Sequence, residues 1–241
     1  MLHGCTQDPA DFARGTRMNA VAEEAGAVVI YPRQESQRNP NRCWSWFEPA
    51  QSGRSGEAAM IAAAARETAE AEGCDPSRVF AAGLSAGGAM AASLGAAHPE
   101  TIRAVGVHSG LPAGAARDMG SAFAAMGGRG GEASPLPVPA IVFHGAADRT
   151  VAPVNAERIA RAGRDGAAGG PKPRVRRGEA GGRGFERVSL AAHGEAAAVE
   201  LWRIEGLGHA WSGGSPEGSY ADAAGPDASR EMMRFFLDGA A

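Results

Sequence analysis

The chain has 241 residues, a length at which one domain closes around a single core and leaves little room for a second. Hydrophobic residues make up 44%, charged residues 21%, and the formal net charge is -3, which excludes the basic excess of a nucleic-acid binder and the acidic excess of a solvating, disordered chain. No run approaches the roughly 20 apolar residues of a membrane-spanning helix, since the alanine-rich stretch 58–65 gives way at once to Arg66 and Glu67.

In chain order, Asp8 and Pro9 form an N-cap and first helical residue, and Phe12, Met18, Val21 and Ala25 carry a helix to a stop at Gly26. The apolar, β-branched run 27–31, ended by Pro32, predicts a strand covered on both faces. An irregular stretch leads to Gly56, then an alanine-rich helix over about 57–72 and a strand over 78–82 that runs into Gly83. After Ser85 a helix of small residues extends to about residue 97, near Pro99, followed by a strand over 102–107.

Segment 110–139, rich in Ala, Gly and Met, breaks the rhythm and reads equally as a lid beside a site or as a surface excursion. A strand over 140–143 and a helix over about 154–162 follow. Segment 161–187 holds many Arg and Gly residues, with Lys172, Arg174, Arg176 and Arg177. Gly and Pro interleave it and no aromatic platform accompanies it, so a flexible solvated loop is expected rather than an anion-binding surface. A turn carrying His193, a strand over 199–204 and a terminal helix over about 227–237 complete the chain. Alternating strands and helices predict one α/β domain over 1–241, with a mostly parallel sheet and helices on both faces.

The chemistry centres on Gly83-Leu84-Ser85-Ala86-Gly87. A strand enters this pentad and a helix leaves it, so a strained turn would lift the Ser85 hydroxyl out of the sheet above the positive end of the helix. Serine needs an imidazole base, and the imidazole needs a carboxylate to hold its tautomer. Asp148 follows the strand over 140–143 in a short glycine-containing loop, and His209 follows the strand ending at Ile204 in Gly206-Leu207-Gly208-His209-Ala210-Trp211. The order serine, acid, histidine is that of an α/β-hydrolase.

The competing histidines His98, His108, His144 and His193 read as structural or surface residues, and the acids Asp118 and Asp222 fall on the wrong side of the acid strand or of His209. Backbone donors for an oxyanion are expected from Ala86 and from Cys5 in the loop His3-Gly4-Cys5-Thr6-Gln7. Cys5, Cys43 and Cys74 lack zinc or redox spacing and read as three buried thiols, and neither metal nor organic cofactor is implied.

Leu2-His3-Gly4-Cys5-Thr6-Gln7, Asn41-Arg42-Cys43-Trp44-Ser45-Trp46-Phe47, Asp75-Pro76-Ser77-Arg78-Val79, Gly83-Leu84-Ser85-Ala86-Gly87-Gly88-Ala89-Met90 and the nine residues from Gly206 to Gly214 together resemble the poly(3-hydroxybutyrate) depolymerase family of esterases, which is related to feruloyl and acetylxylan esterases. The resemblance spans nearly the whole chain. It implies an α/β-hydrolase fold with Ser85 as nucleophile, Asp148 as acid, His209 as base and Cys5 at the oxyanion loop. It also implies a Cys5–Cys43 disulfide with Cys74 free, although in a cytosolic setting all three would be thiols. Trp44, Trp46 and Trp211 fall beside the expected site and either line an acyl cleft or fill the core.

The expected substrate is a polyester or small ester, with no nucleic-acid partner; sequence leaves the oligomeric state open. A feruloyl or acetylxylan esterase and a catalytically silent scaffold are the rival readings. The chain opens inside the strand leading to the oxyanion loop, so the fold is expected to lack its N-terminal strands and the reading frame to begin upstream, with a secretion signal. By resemblance the protein is secreted or periplasmic; the chain itself carries no signal peptide, and a cytoplasmic location stays open. No linker or polymer-binding module follows Leu237, which weighs against attack on solid polyester.

Overall fold

The structure is a computed structural model that describes residues 1–164, 172–191 and 197–238. In chain order its elements are α1 (Pro9–Thr16), α2 (Met18–Glu24), α3 (Pro49–Ser52), α4 (Gly56–Ala71), β1 (Phe80–Leu84), α5 (Ala86–Ala97), β2 (Ala104–His108), α6 (Met119–Met126) and β3 (Ala140–Gly145). Then come α7 (Val154–Arg164), β4 (Arg174–Ala180), β5 (Arg183–Ala191), β6 (Ala197–Ile204), β7 (Trp211–Ser212), β8 (Ala221–Asp222) and α8 (Ala228–Asp238).

Six strands form one sheet in the order β1-β2-β3-β6-β5-β4. Strands β1, β2, β3 and β6 are parallel, and β5 and β4 continue the sheet antiparallel. Because side chains alternate across a strand, each central strand feeds two cores. Val105, Val107, Val142, Val199 and Leu201 pack with Ala62, Met90 and Ile159 of α4, α5 and α7. Ala104, Ile141, Phe143, Trp202 and Ile204 pack with Phe12, Met18 and Met232 of α1, α2 and α8. The result is the expected mostly parallel α/β architecture, covered by helices on both faces.

Three expectations are corrected. The first helix breaks at Arg17, whose left-handed φ of 54° separates α1 from α2. The run 27–31 is not a strand: Val28 is 52% exposed, and a β-branched sequence does not form a strand without a neighbour to share its hydrogen bonds. The Gly/Arg-rich loop expected over 161–187 is, where described, the end of α7 and an antiparallel hairpin, in which Arg177 of β4 pairs with Glu186 of β5 at 2.6 Å. Residues 165–171 of that segment, and the expected turn with His193, lie outside the described residues.

Segment 110–139 connects β2 to β3 and carries α6. Leu111, Ala115, Ala122, Ala125 and Leu136 enter the core from it. Hydrogen bonds from Ala152 N–H to the Met126 carbonyl (2.8 Å) and from the Asn155 amide to the Ala125 carbonyl (2.9 Å) fasten it to the start of α7.

Candidate active site

Strand β1 ends at Leu84 and α5 begins at Ala86, so Ser85 alone makes the turn, at φ 57° and ψ -119°. A serine at this φ costs on the order of 1–3 kcal/mol, and such strain persists only where surrounding packing dictates it. Here the glycines permit the packing. A Cβ on Gly83 would stand 2.5 Å from the Gly87 carbonyl carbon, and one on Gly87 would collide with the Leu2 carbonyl oxygen. The Ser85 N–H donates to the His108 carbonyl at 2.9 Å, which fixes the turn against β2.

The loop from His3 to Gln7 crosses directly over this turn: a Cβ on Gly4 would lie 3.7 Å from Cβ of Ser85. Its shape is set by buried polar groups. The Gly4 N–H donates to Oε1 of Gln7 at 2.9 Å, and the Gln7 amide nitrogen donates to the Ser219 carbonyl at 2.9 Å and to Asp11 Oδ2 at 3.1 Å. His3 accepts the Gln34 N–H on Nε2 (3.2 Å), so Nδ1 carries the proton toward the Gly4 carbonyl at 2.8 Å. Burial lowers the pKa of His3 and keeps this ring neutral.

Cys5 and Cys43 are joined by a disulfide with an S–S distance of 2.06 Å. Buried Glu57 holds the same Trp44 segment by accepting from the Ser45 N–H at 2.8 Å and from Gln34 Nε2 at 2.7 Å. Among the described residues, the N–H groups of Cys5 and Ala86 have no hydrogen-bond partner, so both are free to meet a ligand.

Asp148 and His209 meet at the C-terminal ends of β3 and β6. Nδ1 of His209 lies 2.7 Å from Oδ2 of Asp148, whose other oxygen accepts the N–H groups of Thr150 and Val151, each at 2.9 Å. Burial alone would raise the pKa of this carboxyl. The donors on His144 and His209, the charge of His209 and the Val151 N–H outweigh it and hold the group far below the ordinary carboxylate range. The two loops are laced together by the Ala147 N–H on the Leu207 carbonyl at 3.0 Å.

His209 is slightly exposed, and Tyr220, itself exposed at φ 50°, stands edge-on to it with ring centroids 6.4 Å apart.

Of the two readings of the tryptophans, core-filling is the one that matches their burial. Trp44, Trp46 and Trp211 are 3%, 6% and 1% exposed and fill the core. The indole N–H of Trp44 donates to the His3 carbonyl at 3.0 Å, and that of Trp211 to Ser229 Oγ at 3.1 Å, so two of these amphipathic rings satisfy their polar edge internally. Asp118 caps α6, Asp222 pairs with Arg183 and His98 contacts the Gly53 carbonyl, each away from Asp148.

Sequence reasoning passed over two histidines near the acid. His108 is fully buried between Phe143 and Trp211, and its Nε2 accepts the Ser212 N–H at 3.0 Å. His144 lies 3.4 Å from Asp148. The spacing His144-Gly145-x-x-Asp148, with the histidine on the strand that delivers the acid, was the available signal. Among the described residues no group of His, Cys, Asp and Glu is arranged to hold a metal ion.

The sequence profile of esterase PHB depolymerases matches residues 1–163. The chain belongs to this family. Among relatives of the PHB depolymerase esterases, poly(3-hydroxyalkanoate) depolymerase C of Paucimonas lemoignei is 35% identical over 171 residues, covering 64% of this chain and 41% of that protein. Feruloyl esterase B of Neurospora crassa is 34% identical over 112 residues, covering 46% of this chain and 37% of its own length. The chain thus spans about two fifths of the length of each of these two relatives. Acetyl xylan esterase from Aspergillus awamori superposes with a TM-score of 0.73 at 21% identity, covering 100% of this chain and 87% of that one, and so shares the α/β-hydrolase fold.

Proposed function

We propose that the chain is a serine esterase in which Ser85 is the nucleophile, His209 the base and Asp148 the carboxylate that orients it. The observation that carries this reading is the 2.7 Å contact between His209 Nδ1 and Asp148 Oδ2, in loops at the same C-terminal edge of the parallel sheet as the strained serine turn. In acylation, Ser85 Oγ attacks the ester carbonyl carbon while His209 Nε2 takes the hydroxyl proton. The partner-free N–H groups of Cys5 and Ala86 receive the oxyanion, at about 3 to 4 kcal/mol of transition-state stabilisation each. His209 then returns the proton to the departing alcohol, and water, deprotonated by the same imidazole, cleaves the acyl-enzyme.

Poly- or oligo(3-hydroxybutyrate) esters are the proposed substrates, supported by the 35% identity to a polyhydroxyalkanoate depolymerase. A feruloyl or acetylated sugar ester is the second reading, supported by the 34% identity to a feruloyl esterase. A fluorophosphonate probe is expected to label the wild-type protein and not Ser85→Ala. Labelling of folded Ser85→Ala, or none of the wild type, overturns the reading. Relative kcat/KM on hydroxybutyrate oligomers, feruloyl esters and acetyl sugars then selects the substrate class.

A further inference from the structure

We propose that His144 is a positioning residue that fixes the Oδ2 atom of Asp148 for its contact with His209. The inference deepens the serine-esterase reading and rests on it.

The geometry is specific. His144 occupies the last turn of pleat in β3, with a side chain only 1% exposed. Its Nε2 lies 2.9 Å from the Val151 carbonyl and 3.4 Å from Oδ2 of Asp148, the same oxygen that receives Nδ1 of His209. Nδ1 of His144 is buried with no partner among the described residues. A bare ring nitrogen is tolerated more easily as an acceptor than as a buried donor, so the proton resides on Nε2, where two acceptors await it. His144 is therefore a donor fixed on the Val151 carbonyl of the acid loop, with the same N–H edge held 3.4 Å from Oδ2 of the acid.

This arrangement divides the labour on the carboxylate. Thr150 and Val151 hold Oδ1 from within the acid loop. Among the described residues, His144 is the one that approaches Oδ2 from the hydrogen-bonded sheet, whereas His209 approaches it from the loop after β6. Without His144 beside it, Oδ2 keeps His209 as its one hydrogen-bond partner among the described residues. The carboxylate turns more freely and takes up a proton more readily. The charged or titratable groups facing this centre are Asp148 and His209 from their loops, His144 from β3 and His108 from β2.

Three variants separate positioning from packing. In His144→Gln the amide nitrogen reaches the place of Nε2; in His144→Asn the amide reaches only the place of Nδ1; His144→Leu removes the donor. With a soluble ester, His144→Gln is expected to keep kcat within about threefold of wild type, while His144→Asn and His144→Leu lose roughly 10- to 100-fold in kcat with KM little changed. In the latter two, the acid limb of the kcat/KM profile moves to higher pH, because the Asp148 carboxylate takes up a proton more easily once the His144 N–H no longer stands beside it.

Wild-type kcat and pH profile in His144→Asn, or a loss in His144→Gln equal to that in His144→Asn, overturns the proposal; this comparison stands even if His144→Leu does not fold. The serine-esterase reading fails separately, through Ser85→Ala retaining activity.

Discussion

Breaking the disulfide between Cys5 and Cys43 perturbs stability and the oxyanion loop together, and the two effects are separable. The bond closes a loop of 38 residues. In the chain-entropy treatment, removing such a closure costs about 4 kcal/mol at 25 °C, a large share of the 5–15 kcal/mol that usually holds a domain folded. Cys43→Ala is the informative variant because it leaves the backbone of Cys5 intact.

At a urea slope of about 2 kcal/mol per M, the midpoint of Cys43→Ala falls by about 2 M. Reductant lowers the wild-type midpoint to the same place and leaves the variant unmoved. The Thr6 N–H still donates to the Asn41 carbonyl at 2.6 Å, so the loop keeps a second tie. Turnover therefore drops about tenfold, equivalent to about 1.4 kcal/mol of lost transition-state alignment. An unchanged midpoint in protein whose two thiols titrate as free refutes the stability argument. Unchanged kcat in the same sample refutes the link to Cys5.

Asp148→Asn is expected to lower kcat by about 10⁴, because an amide no longer fixes the imidazole tautomer; steady-state kinetics on a soluble ester measures it. Gly87→Ala drives a methyl group into the Leu2 carbonyl oxygen, and a destabilisation above about 2 kcal/mol is expected in thermal or urea unfolding. His108 gives a pH dependence. Burial first, and then the charges of His144 and His209, lower its pKa well below 6.5 despite the opposing pull of Asp148. Below pH 6.5 the unfolded chain binds a proton there that the folded chain refuses, so stability falls with pH at about 1.4 kcal/mol per unit from this group alone. His108→Phe is expected to flatten that slope in urea titrations between pH 6.5 and 5; an unchanged slope assigns the dependence to other groups.

The parts of this architecture that were legible in the sequence are those fixed locally. The strand, serine and helix of the turn occupy adjacent residues, and the acid and histidine follow strands with clear apolar runs, so their order was visible before their proximity. What was hidden depended on distant partners. Residues 27–31 have every intrinsic strand feature, yet strand identity lies in a neighbour's hydrogen bonds. The hairpin of β4 and β5 was obscured by its arginines, although Gly181 and Gly182, both with positive φ, mark the tight turn between two strands. The tryptophans were ambiguous because an indole suits a cleft or a core equally well. His144 was passed over because its importance lies in a 3.4 Å distance to a residue four positions away, across a turn whose geometry no residue type reveals.

The hairpin also bears on how copies of this protein behave when crowded. Strand β4 is the outer margin of the sheet, and its residues from Arg174 to Glu179 are all exposed. An unpaired strand margin is a template for another chain, and an open row of peptide groups there invites sheet growth from molecule to molecule. Arg174 and Arg176 put like charge along that row, so two margins brought together repel each other. Replacing Arg174 and Arg176 with threonine or valine is accordingly expected to make that margin more adhesive, read as self-association in sedimentation.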